Sequence, residues 1–163
     1  MKTKDALRAT MDMSLNVLNT YISDLSDADL MSRPSKDSNH LAWQLGHLIS
    51  SEVKLLESVC PGKGAELPDG FAERHSKETC ASDDAANFST KQEYIDLYQK
   101  VRGSTLAALA ELPDADLDLP SPEWIRKKYP SVGHMFTLIG SHPMMHVGQF
   151  AVVRRELAKP VLI

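Results

Sequence analysis

Cysteine is scarce in this sequence: Cys60 and Cys80 are the two in 163 residues, and they form no CxxC pair. They flank a loop-like stretch where a disulfide has room to form. Nothing marks the chain as exported, however, so the reading is a reduced protein. An excess of basic charge is also missing. The formal net charge is −4, and the longest basic run is Arg126 to Lys128. That argues against nucleic acid as the main partner, because phosphate binding needs a concentrated basic surface. No apolar run approaches the roughly 20 residues that span a membrane. The opening "MKTKDALRATMDMSLNVLNTYISDL" has no apolar core of the kind a secretory signal carries. The expectation is a cytoplasmic chain with no membrane partner. There is no P-loop, no dinucleotide glycine fingerprint and no HExxH. Strand-like alternation of useful length is missing too. A Cys–His nucleophile pair has no assignable base beside either cysteine.

What is present is helical periodicity. Hydrophobic residues make up 42% and charged residues 25%, ordinary for one globular domain, here taken as residues 1–163. Leu7, Met11, Leu15, Leu18, Ile22 and Leu25 step by threes and fours. A second stripe (Leu41, Leu45, Leu48, Leu55, Val59) starts near Ser38 or Asn39, either a suitable N-cap, and stops at "CPGKG". A third opens on the capping-box pattern "TKQE", Thr90 to Glu93, and runs to about Leu112 before Pro113. A fourth runs from about Ser131 to Ala158 through Val132, Met135, Ile139, Phe150, Val153 and Leu157. The predicted fold class is all-α, a four-helix bundle. Two connections are long, residues 61–89 and 113–130, the second leaving room for a short helical turn. Long connections allow topologies other than simple up-and-down.

The fourth segment contains "GSHPMMHVGQF", with His142 and His146 four residues apart. On a helix such positions share a face, with Cβ atoms about 5–6 Å apart. Two imidazoles so placed can converge on one metal ion. Extending the apolar stripe by threes and fours places both on the buried seam. Buried imidazoles need partners, since an unsatisfied polar group costs about 1–3 kcal/mol. Core histidines bonded to carbonyls or carboxylates remain an alternative at this point. A third histidine, His47 in "HLAWQLGHLISSE", lies at the edge of the second stripe, preceded by Gly46. A helical glycine costs about 1 kcal/mol against alanine, so close approach of another helix is expected there. If the second and fourth helices pack together, three histidines meet and leave open positions, the pattern of a catalytic metal. Gln149, Glu52 and Ser51 are candidate partners for the imidazoles. Pro143 removes a donor and predicts a kink just before the pair. His75 on the long connection is a candidate to reach over the site, His40 and His134 are weaker ones, and Trp43 is core or pocket wall.

"WQLGHL" (Trp43 to Leu48), "LPDGFAERHSKET" (Leu67 to Thr79) and "SHPMMHVGQFAVVRRELAKP" (Ser141 to Pro160) resemble the DinB-like superfamily over nearly the whole chain. The resemblance implies a four-helix bundle, often a homodimer. It also implies a divalent metal held by His47, His142 and His146: zinc or nickel first, then iron or manganese. It is similar to the bacillithiol and mycothiol transferases and to thiol-dependent maleylpyruvate isomerase. That implies a low-molecular-weight thiol as second cofactor and a small-molecule electrophile as substrate, with the thiolate as nucleophile. Some relatives are described as hydrolases. Many relatives carry an acidic residue where this chain has Pro143, so a carboxylate near the site is lost. The leading expectation is a metal-dependent thiol transferase. The alternatives are a metal-dependent hydrolase, a non-catalytic binding bundle and a purely structural bundle.

Overall fold

The computed structural model describes residues 1–160 and 162. Its helices are α1 (Thr3–Ile22), α2 (Asp27–Leu30), α3 (Leu41–Val59), α4 (Phe71–Arg74), α5 (Lys91–Glu111), α6 (Glu123–Arg126) and α7 (Val132–Glu156). Two 3₁₀ turns, Ala85–Asn87 and Asp114–Asp118, sit in the long connections. The four long helices coincide with the four apolar stripes. The Thr90 capping box forms: its hydroxyl accepts from Glu93 N, and Glu93 accepts from Thr90 N at 2.7 Å. The second helix starts differently from expectation. Its cap is His40, whose Nδ1 accepts from Trp43 N at 3.0 Å, rather than Ser38 or Asn39.

Side-chain contacts establish how the helices run. Met11 lies beside Gly140, and Arg154 reaches Tyr21 O, so α1 and α7 are parallel. Glu52 meets Arg102 and Lys63 meets Glu111, so α3 and α5 are parallel. Lys4 reaches Ala110 O while Lys91 reaches Ser23 O, so α1 and α5 are antiparallel. Gln44 meets His146 while Leu55 and Leu138 line one groove, so α3 and α7 are antiparallel. The order is up, down, down, up. Connecting two parallel helices in sequence requires a crossover of bundle length, and residues 60–90 supply it.

The core has two apolar clusters separated by a polar waist. One gathers Leu18, Leu41, Leu45, Tyr94, Phe150 and neighbours; the other gathers Leu7, Met11, Leu56, Leu109, Phe136 and neighbours. Between them the Glu52 carboxylate accepts from Arg102 Nε at 2.9 Å, Arg102 Nη2 at 2.7 Å and Thr105 Oγ1 at 2.8 Å. Arg102 Nη1 donates to Met11 O at 2.8 Å. A buried pair with this many bonds holds its charges together, and loss of one partner would strand the other. The apolar spacing of the third segment, Tyr94, Leu97, Val101 and Leu109, gives no sign of this: the buried face of α5 includes Arg102 and Thr105 alongside Tyr94, Tyr98 and Leu109.

Candidate metal centre

The expected seam on α7 is displaced by one position. Pro143 and Val147 are buried, while His142 and His146 are half-buried beside them. The proline occupies core space and the helix continues through it from Val132 to Glu156. The histidines thus lie at the edge of the α3–α7 contact, within reach of solvent and of α3. There they meet His47. The ligand-capable atoms of His47, His142 and His146 all lie within 4.8 Å of one another. Ring centroids are 5.4 Å apart for His47–His142, 5.5 Å for His47–His146 and 5.0 Å for His142–His146. Three nitrogens on one tetrahedral zinc are separated by roughly 3.3 Å, given bonds of about 2.0–2.1 Å.

Their orientation is set from behind. Gln44, buried on α3, donates through Nε2 to Asn39 O at 2.7 Å. Its Oε1 must therefore face His146 Nδ1, 2.9 Å away. An amide oxygen only accepts, so Nδ1 carries the proton and Nε2 keeps its lone pair for a ligand. Gln44 was not among the candidate partners, although a polar side chain between Leu41 and Leu48 was the available signal. Of those that were, Glu52 is committed to Arg102, Gln149 is exposed, and Ser51 Oγ is 3.5 Å from His47 Nε2. The Trp43 ring stacks on His47 at 4.9 Å and 7°, and its Nε1 donates to Ser76 O at 2.9 Å. Burial keeps the imidazoles neutral. It pushes His142 down to about 4 and His146 down to about 3, with the neighbouring histidines adding to the effect. His47 is lowered by the same burial, with Lys77 contributing. Neutral imidazole is the form that ligates.

The other histidines have no lone pair to offer or lie elsewhere. His75 does not reach over the site; it is 2% exposed. Its Nδ1 lies 2.7 Å from Phe71 O, which only accepts, so Nδ1 donates and Nε2 accepts from Tyr94 Oη at 2.8 Å. Its ring lies on Gly46, where a Cβ would fall 2.1 Å from His75 Cδ2. Close approach at Gly46 was expected from a helix; it comes from the long connection instead. His40 is likewise saturated, accepting from Trp43 N at Nδ1 and donating to Ser82 O, 3.2 Å from Nε2. His134 sits near the start of α7 against Ser131. Both cysteines are free thiols.

Beside the cluster a groove of about 360 Å³ is lined by His47 and His142 together with Lys54, Leu138, Trp124 and Tyr129. A larger hollow of about 520 Å³ lies between Phe71 and Lys100, away from the histidines. The chemistry selects the smaller one.

The fold and the site define a helical-bundle protein with a three-histidine cluster able to hold a metal ion. The chain belongs to the DinB superfamily, whose family model matches residues 10–150. Among solved structures it is similar to YfiT from Bacillus subtilis, described as "a probable metal-dependent hydrolase with an unusual four-helix bundle topology". That match has 16% identity and a TM-score of 0.65, covering 96% of this chain and 89% of that one. A conserved protein from Enterococcus faecalis matches with 15% identity and a TM-score of 0.64, over 98% of this chain and 99% of that one. No curated protein matches the chain. No helix among the described residues is long and apolar enough to cross a membrane.

Proposed function

We propose that the protein is a metal-dependent enzyme that transfers a thiol to a small electrophile, with His47, His142 and His146 as the metal ligands. The observation that carries this reading is the convergence of three neutral imidazoles, two of which line an open groove. Three ligands with an accessible face are what a catalytic site retains and a closed structural site lacks. A divalent metal there supplies the acidity that lets a thiol lose its proton near neutral pH. The chain's own residues do the positioning. Gln44 fixes the His146 tautomer, Trp43 fixes the His47 ring plane, and the groove receives the body of the substrate.

Hydrolysis is the second reading, favoured by the description of YfiT. Among the described residues no Asp or Glu lines the groove, and Glu52 is bound to Arg102. A reaction that needs a carboxylate as general base or acid is therefore less well served than one with a thiol nucleophile. The test uses protein purified without an affinity tag. Its metal content is measured, and it is assayed with a panel of thiols against monochlorobimane, where a sulfur–carbon bond forms as chloride leaves. Stoichiometric metal, lost in His142→Ala, together with thiol-dependent turnover supports the proposal. Full metal retention after replacing all three histidines ends it. Bound metal without turnover on any thiol leaves the hydrolase or a binding bundle.

A further inference from the structure

The groove beside the histidines carries charge of one sign. Lys54 and Lys128 line it, no acidic residue does, and neither lysine is in an ion pair among the described residues. This stands out on a chain whose net charge is −4. His47, Ser51 and Lys54 are spaced i, i+4, i+7, so they share one face of α3. At 1.5 Å per residue, Lys54 lies about 10 Å along the axis from His47. Lys128 enters from the opposite wall, with Nζ 5.5 Å from the Tyr129 ring centroid. Besides Ser51, the groove carries apolar walls from Leu55, Leu138, Met145 and Trp124. Trp124 is 63% exposed and Met145 60% exposed, large apolar surfaces left open at the mouth.

The geometry points to a binding site for a small organic carboxylate with an apolar body, its anionic end on Lys54 and Lys128 and its other end directed at the histidine cluster. The direction of the reacting end rests on the proposed metal site; the anion preference rests on the groove alone. Aromatic and aliphatic walls with a few convergent polar groups are the usual build of a small-molecule site.

The test is calorimetric titration of 3-phenylpropionate and its neutral isostere 3-phenylpropionamide into metal-free and zinc-loaded protein. On the metal-free protein the carboxylate is expected to bind about three- to tenfold tighter than the amide, the scale for two exposed cation–anion contacts. The preference should shrink in 1 M salt, where the screening length is about 3 Å. Lys54→Gln with Lys128→Gln, both at exposed positions, should abolish the preference. Trp124→Ala should weaken both probes alike. Equal affinities for the two probes, a preference that survives the double substitution, or no binding of either probe to either form overturns the inference. Because the metal-free arm involves no thiol, failure of the transferase reading would appear only in the thiol assay.

Discussion

Gly46→Ala tests the packing that locks the long connection onto α3. By helix propensity alone, alanine should stabilise by about 1 kcal/mol. The structure predicts the opposite sign. The new Cβ would lie 2.1 Å from His75 Cδ2 and 2.3 Å from Cγ and Nε2. Ring atoms of a buried side chain cannot yield cheaply. Overpacking costs about 1–3 kcal/mol. If the ring leaves instead, its bonds to Phe71 O and Tyr94 Oη go with it, at about 0.5–1.5 kcal/mol each. The net expectation is a loss of about 1–3 kcal/mol, read as a lower urea midpoint at unchanged slope. The double-mutant cycle with His75→Ala sharpens the test. Once the ring is removed, Gly46→Ala should turn stabilising by about 1 kcal/mol. If Gly46→Ala stabilises the wild-type protein, or the sign fails to invert in the His75→Ala background, the packing argument is wrong.

Acid should begin to destabilise the metal-free protein well above the carboxylate range. Burial holds His40 and His75 down to about 4, while an unfolded histidine titrates near 6.5. Above 6.5 neither state takes the proton, so stability is unaffected. Below it the unfolded chain binds protons the native chain refuses, at about 2 kcal/mol per histidine by pH 5 and about 3 by pH 4. Urea midpoints that stay flat from pH 7 to pH 5 would contradict this. Gln44→Leu, which keeps all three candidate ligands, should weaken zinc binding about 10- to 100-fold in a chelator competition. Unchanged affinity would remove Gln44 from the site.

Much of the site was legible in sequence because its signals are local. The His142–His146 spacing needs only the helical repeat, and His47 stands on a strongly periodic stripe. The errors are just as specific. Extending the α7 stripe by threes and fours put the histidines on the seam. The packing of α7 against both α1 and α3 instead turned Pro143 and Val147 inward. His75 looked like a loop residue free to reach the site, yet it is buried against α3 and α5 with both nitrogens bonded. Glu52 looked like a partner for histidine, but Arg102, fifty positions away, claims it. Apart from Phe71 O, four residues before His75, these partners lie far away in the chain and are not encoded by local spacing.

Sequence alone determined the four long helices, the bundle class and the pairing of His142 with His146, since amphipathic period, capping residues and same-face spacing act within a few residues. His47 joined them in the reading through a supposed packing of two helices and the family resemblance, and in the molecule through the packing of α3 on α7. The tertiary structure decided which nitrogens are free. It saturates His40 and His75, orients His146 through Gln44, and joins a lysine of α3 with one just beyond α6 in a single groove. Hydrogen-bond donors and acceptors are allotted by proximity in space, and here that proximity depends on an up-down-down-up order of helices and a crossover of bundle length.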